Sequence, residues 1–167
     1  MARAIGVDLG SKRVGVASSD TTRTLASPVT VLERRGSRAA DHKALAAIIE
    51  EYEADIVVVG LPLSLNGGES HAAKLVRDEV AQMTAALPVP IVLHDERFTT
   101  ATAHASMMER KMKADARRRV VDKVAAAVML QGWLDTQAYR REAEARKAEF
   151  EKAEFEKAEQ ARQAAQQ

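Results

Sequence analysis

The chain opens with a short apolar run, Ala4–Gly10, in which one acid stands between glycines. Successive residues of a strand point to opposite faces, so Ile5, Val7 and Leu9 share one face and Asp8 lies on the other. A carboxylate on a central strand is costly to bury unless it is paired, protonated or bound to a metal ion, and the flanking glycines leave space beside it. The run therefore predicts a central strand that presents Asp8 to a metal ion or a phosphate.

Apolar periodicity along the chain indicates a change of strand direction. The first part predicts an antiparallel meander, and the later part alternates helix and strand as parallel βαβ units do. The predicted strands are 4–10, 13–19, 25–32, 56–59 and 91–94. The predicted helices are 41–53, 71–86, 100–110 and 118–136. The fold class is thus α/β, with a mixed five-stranded sheet flanked by helices.

Two segments differ sharply in composition. Residues 1–137 predict one domain, which is long enough to bury a core. From 138 to 167 the chain is low-complexity sequence, with Phe150-Glu151-Lys152-Ala153-Glu154 repeated at once and equal numbers of acidic and basic residues. This segment predicts a charged helical extension rather than a coiled-coil partner site, because its two phenylalanines do not form a sustained heptad.

Composition restricts the classes of function. The absence of cysteine excludes disulfides, zinc-thiolate sites and cysteine nucleophiles, and it fits a cytoplasmic protein. No apolar run is long enough for a secretory signal or a membrane span. The net charge is only +1, so a nucleic-acid partner has to be met by a local basic patch.

Three widely separated acids form a candidate metal site. Asp8 lies on the first strand, Glu96 follows the last strand, and Asp122 lies in the helix 118–136. Ligand sites in such sheets gather at the carboxyl ends of strands, and small alanines beside Asp122 allow its helix to approach the sheet. Carboxylate oxygens select Mg²⁺ or Mn²⁺, and two such ions are the usual clamp for cutting a phosphodiester. Each acid also has an ordinary structural alternative, which for Asp122 is a helical ion pair with Arg118 or Arg119.

A local basic patch precedes Asp122. We expect residues 110–119 to form a connector that contacts nucleic acid, since six of them are basic and one is acidic. The basic residues are Arg110, Lys111, Lys113, Arg117, Arg118 and Arg119. The alternative is a solvated loop without a partner.

Four segments together resemble the YqgF (RuvX) family. They are Ile5–Ala17, Gly60–Leu63, Asp95–Thr99 and Val121–Ala126, and the resemblance covers about residues 3–136. It implies an RNase H-like fold and a nuclease that trims the 5′ end of precursor 16S rRNA, with resolution of Holliday junctions as the DNA alternative. It also implies that Asp8, Glu96 and Asp122 are the catalytic, metal-binding acids.

Three further basic residues gain expected roles at such a site. Lys12 and Arg13 occupy the turn beyond Asp8, where a phosphate contact would be useful, and Arg97 is expected to contact a phosphate or pair with Asp95. The expected partner is therefore RNA, with structured DNA as an alternative, and either a monomer or a homodimer is compatible with the sequence.

Two other classes of function remain open at this point. The segment Ile5–Ser11 also resembles the first phosphate loop of the actin and sugar-kinase superfamily, although the chain has no space for the two related domains that those proteins need. A non-catalytic RNA-binding assembly factor is the other alternative, because a fold with acids in it does not establish activity.

Overall fold

The computed structural model describes residues 2–34, 36–63, 70–95 and 114–164. Eight elements occur in these ranges. The strands are β1 (Arg3–Leu9), β2 (Arg13–Ser19), β3 (Ala26–Glu33), β4 (Ala54–Leu61) and β5 (Ile91–Asp95). The helices are α1 (Arg38–Glu51), α2 (His71–Ala86) and α3 (Ala114–Ala164).

The strands form one mixed sheet in the order β3-β2-β1-β4-β5. The pairs β3-β2 and β2-β1 are antiparallel, whereas β1-β4 and β4-β5 are parallel. The predicted meander followed by parallel strands is confirmed, as is the central position of β1. Because β1, β4 and β5 run in the same direction, their carboxyl ends meet at one edge of the sheet.

One face of the sheet packs against α1 and α2 through branched side chains. Ile5, Val7, Val16, Val57 and Val59 are fully buried on this face. Both helices begin at serine caps, whose side chains accept hydrogen bonds from backbone amides two or three residues into the helix. This layer supplies the larger part of the apolar core.

The opposite face is built from small residues and is covered by α3. Ala4 and Ala17 are buried there beside Ala126, Leu130 and the helix residues that follow. A Cβ placed on Gly6 would lie 2.7 Å from the Cβ of Leu130, so only glycine allows the helix to come this close. The α3 helix therefore lies directly on the strand that carries Asp8.

The predicted basic connector is wrong from residue 114 onward, because α3 begins at Ala114. Helix formers dominate this stretch, and neither glycine nor proline occurs between residues 114 and 131 to end a helix. The predicted helix 100–110 and the connector residues 110–113 lie outside the described residues.

The chain consists of two compact units, Met1–Leu134 and Asp135–Gln167. In the second unit the helix carries ion pairs four residues apart, such as Lys147 with Glu151, and exposes Phe150 and Phe155. Within the described ranges, the helices include none that is both long and apolar enough to cross a membrane.

Candidate nuclease site

Asp8 lies at the end of β1, on the small-residue face of the sheet. It is half-buried, and its cross-strand partner in β2 is Gly15. Side chains of paired antiparallel residues project from the same face, so the Asp8 side chain lies beside a position that has no side chain of its own. This arrangement follows directly from the alternation expected in the first strand.

Gly15 brings Asp122 to the same part of this face. A Cβ at Gly15 would lie 2.3 Å from the backbone carbonyl oxygen of Asp122 and 3.4 Å from the Cβ of Ala126. The backbone of α3 thus rests on β2 at the residue that pairs with Asp8. Two acids that are far apart in sequence are therefore held above adjacent strands, on one face.

The glycines around Asp8 have a different role from the one expected. We predicted that Gly6 and Gly10 leave space for a bulky charged guest. Leu130 occupies the space above Gly6, and a Cβ at Gly10 would lie 2.6 Å from the carbonyl oxygen of Arg13. The missing side chains therefore admit a helix and a tight turn, and any guest has to approach Asp8 from the edge of the sheet.

Arg13 forms an ion pair with Asp122. Its Nε lies 2.8 Å from Oδ2 of Asp122, and both side chains are only partly exposed. Asp122 thus pairs with a residue at the start of β2. The alternative pairing with Arg118 or Arg119 stays a prediction, since the side chains of these two residues are not among those described. The contact holds one carboxylate oxygen of Asp122 and directs the guanidinium of Arg13 toward the acids.

Glu96 is the first residue after β5 and lies outside the described residues. The end of β5 is well placed for the predicted site, since Leu61 pairs with Asp95 at the edge where β1 also ends. However, β4 lies between β1 and β5, so the axes of β1 and β5 are about 10 Å apart. Convergence of Glu96 with Asp8 and Asp122 therefore stays a prediction.

The donors that are described fit a hard divalent cation. Asp8 and Asp122 supply carboxylate oxygens, the ligand type that Mg²⁺ and Mn²⁺ prefer. Among the described residues there is no group of three His, Asp or Glu side chains that could hold a metal ion by itself. Glu96, directly after β5, occupies the position in the chain from which a third donor could come.

Most of the predicted nucleic-acid contacts are not tested by the structure. Lys12 is exposed in the β1-β2 turn, next to the proposed site. Arg97, Arg110, Lys111 and Lys113 lie outside the described residues. The backbone of Arg117, Arg118 and Arg119 is helical, and their roles stay predictions.

His94 is a buried group close to this edge that the sequence analysis does not use. It pairs with Gly60, its side chain is buried, and its Nε2 has no hydrogen-bond partner among the described residues. Burial lowers the pKa of His94, and the neighbouring Asp95 carboxylate opposes that shift. The imidazole is therefore favoured in its neutral form.

A buried charged cluster around Glu79 was also not identified from the sequence. Glu79 of α2 is buried, and its carboxylate lies 2.9 Å from Arg34, 3.7 Å from His42 and 3.9 Å from Arg38. The available signal was a charged residue in an apolar helical stripe, because Glu79 lies between Val76 and Met83 at helical spacing.

Comparison with known proteins identifies the family. The family model described as "RuvX: Holliday junction resolvase" matches residues 2–136. The chain belongs to the RuvX family. The match covers the sheet, the helices that pack on it and both described acids, so the resemblance seen in the four segments is confirmed.

Curated RuvX relatives share much of the chain. A protein of Rhodococcus opacus is 43% identical over 140 residues, which cover 81% of this chain and 79% of that protein. A protein of Roseiflexus is 41% identical over 135 residues, which cover 81% of this chain and 95% of that protein. Both carry the name "Putative pre-16S rRNA nuclease".

A solved structure supports the fold. The Thermus thermophilus RuvC protein, solved with a Holliday junction substrate, aligns with 82% of this chain and 97% of its own, with a TM-score of 0.51 and 11% sequence identity. At this identity the likeness concerns the fold alone. The predicted RNase H-like architecture is confirmed by it.

Proposed function

We propose that this chain is a nuclease that hydrolyses phosphodiester bonds in precursor 16S rRNA and matures its 5′ end. In this proposal Asp8, Glu96 and Asp122 hold two divalent ions, Mg²⁺ or Mn²⁺. The observation that carries the proposal is the contact of α3 with Gly15, which places Asp122 of the helix over the cross-strand partner of Asp8.

The two described acids have distinct structural supports in this proposal. Asp8 is held by the central strand, which is bonded on both sides and is therefore rigid. Asp122 is held by a helix that rests on a glycine and by an ion pair with Arg13. Rigid placement of ligands is what fixes coordination geometry at a reacting centre.

Divalent ions, when bound, lower the pKa of water and neutralise charge that develops on the phosphate. The chain's own contribution is to supply carboxylates that attract these ions and to orient them. Carboxylates brought together repel one another, so the acids are stabilised when a cation lies between them. The Arg13 guanidinium reduces that repulsion at Asp122 through its contact with Oδ2.

The choice of RNA as substrate is supported by the relatives. Proteins that share 41–43% of aligned residues with this chain carry a name referring to precursor 16S rRNA. A four-way DNA junction is a second candidate, favoured by the description of the family model. Both substrates would be cut by the same hydrolysis, so the site by itself does not separate them.

The decisive test compares the chain with Asp8→Asn on a 5′-extended 16S precursor and on a four-way DNA junction. We expect Mg²⁺-dependent cleavage of the RNA, loss of cleavage on chelation, and a fall of at least about 100-fold for Asp8→Asn, since charge stabilisation at the reacting phosphate is lost. Asp55→Asn is the matched control, because Asp55 lies on β4 at the opposite edge and pairs with Arg23.

A binding measurement separates a failed site from a failed fold. Mg²⁺ should raise the melting temperature of the unmodified chain and of Asp55→Asn, and it should do so less for Asp8→Asn, because ligands stabilise the state they bind. Full cleavage by Asp8→Asn would overturn the catalytic role. A clear preference for the DNA junction would overturn the choice of substrate.

A further inference from the structure

A cavity of about 300 Å³ opens beside the proposed site, on the α1/α2 side of the sheet. Its wall includes Leu9, Gly10 and Ser11, the three residues that follow Asp8 in the chain. The wall also includes Arg34, Arg38 and Glu79, together with apolar side chains of α2. We call it the Arg38 cavity.

The position of this cavity is fixed relative to the end of β1. The backbone amide of Arg34 donates a hydrogen bond to the carbonyl oxygen of Lys12, at 3.0 Å. The segment that carries the two arginines is thereby attached to the β1-β2 turn. The cavity and Asp8 thus border the same short stretch of chain, from Asp8 to Ser11, at the end of β1.

The charges of the cavity favour an anion. Two guanidinium groups, those of Arg34 and Arg38, surround the single carboxylate of Glu79. One buried carboxylate therefore leaves a positive excess that a phosphate group would neutralise.

Arg34 and Arg38 differ in how closely they approach Glu79 and in how exposed they are. Arg34 lies within hydrogen-bond distance of Glu79, and its buried Nε has no acceptor in the part of the chain that the structure describes. Arg38 approaches Glu79 only to 3.9 Å, and 43% of its side chain is exposed. The buried carboxylate of Glu79 requires Arg34 as its partner. Arg38, in contrast, has more N–H donors than its long contact with that carboxylate uses.

The remaining surface of the cavity suits the rest of a nucleotide. Pro62, Leu75 and Val76 provide apolar surface, and Leu75 keeps 47% exposure although it is a large hydrophobic residue. A volume near 300 Å³ is at the small end of ligand sites, which is the scale of one nucleotide rather than a larger cofactor.

We propose that the Arg38 cavity binds one nucleotide of the substrate strand, with its phosphate on Arg38 and its sugar or base against Leu75. This inference rests on the proposed function, because the strand is placed by its scissile phosphate at Asp8. It assigns to α1 and α2 a binding role that is separate from the three acids.

The experiment measures RNA binding without cleavage. Asp8→Asn is the background, a labelled single-stranded RNA is the probe, and fluorescence anisotropy is recorded across a series of salt concentrations. Adding Arg38→Gln should weaken binding and reduce the slope of log K against log salt by about one, as expected for one lost phosphate contact. Lys43→Gln is the matched control, because Lys43 is an exposed cation of α1 that does not line the cavity.

Equal slopes for Arg38→Gln and Lys43→Gln would overturn the inference. Competition with adenosine 5′-monophosphate separates the two sources of the same chemistry. If adenosine 5′-monophosphate displaces RNA from the chain that retains Arg38 but not from Arg38→Gln, the occupant is a free or terminal nucleotide. If RNA binding depends on Arg38 and adenosine 5′-monophosphate does not displace the RNA, the occupant is a nucleotide within a strand.

The outcome is independent of the proposed cleavage. If the unmodified chain cuts neither substrate while Arg38→Gln still lowers the salt slope, the nuclease proposal fails and the nucleotide site stands. If the chain cuts RNA and Arg38→Gln matches its control, the cavity inference fails alone. Circular dichroism confirms that Arg38→Gln is folded in either case.

Discussion

The two faces of the sheet are built from opposite kinds of residue. Toward α1 and α2 the strands present Ile5, Val7 and Val16, which fill a conventional core. Toward α3 the same two strands present Gly6 and Gly15, and two acids lie at one end of that face. Adjacent residues of one strand thus serve different purposes.

The difference shows how a sheet can provide both stability and a site. Branched side chains bury apolar area, about 25 cal/mol for each Å². Glycines give up that area, but they let the backbone of α3 touch the sheet, which fixes Asp122 next to the partner of Asp8. The apolar core on the α1/α2 face stabilises the sheet, and the glycines on the other face let α3 approach it closely.

The largest effect is expected from Gly15→Ala. The added methyl group would meet a backbone carbonyl at 2.3 Å, so α3 has to shift and Asp122 moves with it. We expect a fall in cleavage of roughly 100-fold, since a displacement of about 1 Å at a reacting centre can cost that much. Unfolding free energy should also fall, by about 1–3 kcal/mol for overpacking. Undiminished cleavage would show that the contact of α3 with Gly15 does not position the site.

Val16→Ala is the matched variant on the face of the sheet that packs against α1 and α2. Val16 is fully buried, and its truncation should reduce the free energy of unfolding by roughly 2 kcal/mol. Cleavage measured below the melting temperature should be retained, because no acid is displaced. Urea unfolding and cleavage assays on both variants test the comparison, and a cleavage loss for Val16→Ala equal to that for Gly15→Ala would break it.

A smaller effect is expected from Arg13→Gln, which tests the ion pair on the site face. If Arg13 orients Asp122, cleavage should fall about 10-fold, as for other groups that orient metal ligands, while RNA affinity in the Asp8→Asn background changes little. Lys12→Gln is the neighbouring control, and we expect it to lower the salt slope instead. A reduced slope of log K against log salt for Arg13→Gln would support the phosphate contact that the sequence predicts.

The smallest effect is expected at Asp20, an acid remote from either face. Hydroxyl groups of Thr22 and Thr24 donate to its carboxylate, with backbone amides of the same turn, and these bonds hold the pKa of Asp20 well below its usual range. A lowered folded-state pKa stabilises the fold above the unfolded-state pKa near 3.9, and this stabilisation is lost as pH falls below it.

Asp20→Asn should therefore lower the melting temperature slightly at neutral pH and have a diminishing effect in acid. Cleavage should be unchanged. Thermal unfolding between pH 7 and pH 2 provides the measurement, and a pH-independent difference between the two chains would contradict the assignment to the carboxylate.

Local pattern predicted most of the architecture. Helix α2 begins at the residue expected from the cap Ser70, and β2 has the predicted bounds because alternation and turn residues act over short distances. The start of α3 at Ala114 was missed, since a run of arginines resembles a solvated loop as much as a helix. Asp8 was recognised because an acid in an apolar strand is anomalous at the level of the sequence itself.

Contacts between distant residues could not be predicted in the same way. Gly15 looks like an ordinary strand glycine, and only the packing of α3 shows that it admits the carbonyl of Asp122. The pairing of Arg13 with Asp122 was not expected from the sequence, and the expected contact of Arg13 with phosphate stays a prediction. Glu79 is a charged helical residue whose partners come from another element.

The sequence by itself determined the order of the elements, the face on which Asp8 lies and the family to which the chain belongs, because each depends on residues close together or on motifs in order. The tertiary structure alone decided that Asp122 lies over the cross-strand partner of Asp8, that Arg13 pairs with Asp122, and that Arg34 and Arg38 line one cavity. The physical reason is that these depend on how closely a helix backbone can approach a strand, and that distance is set by the absence of a single Cβ at Gly15.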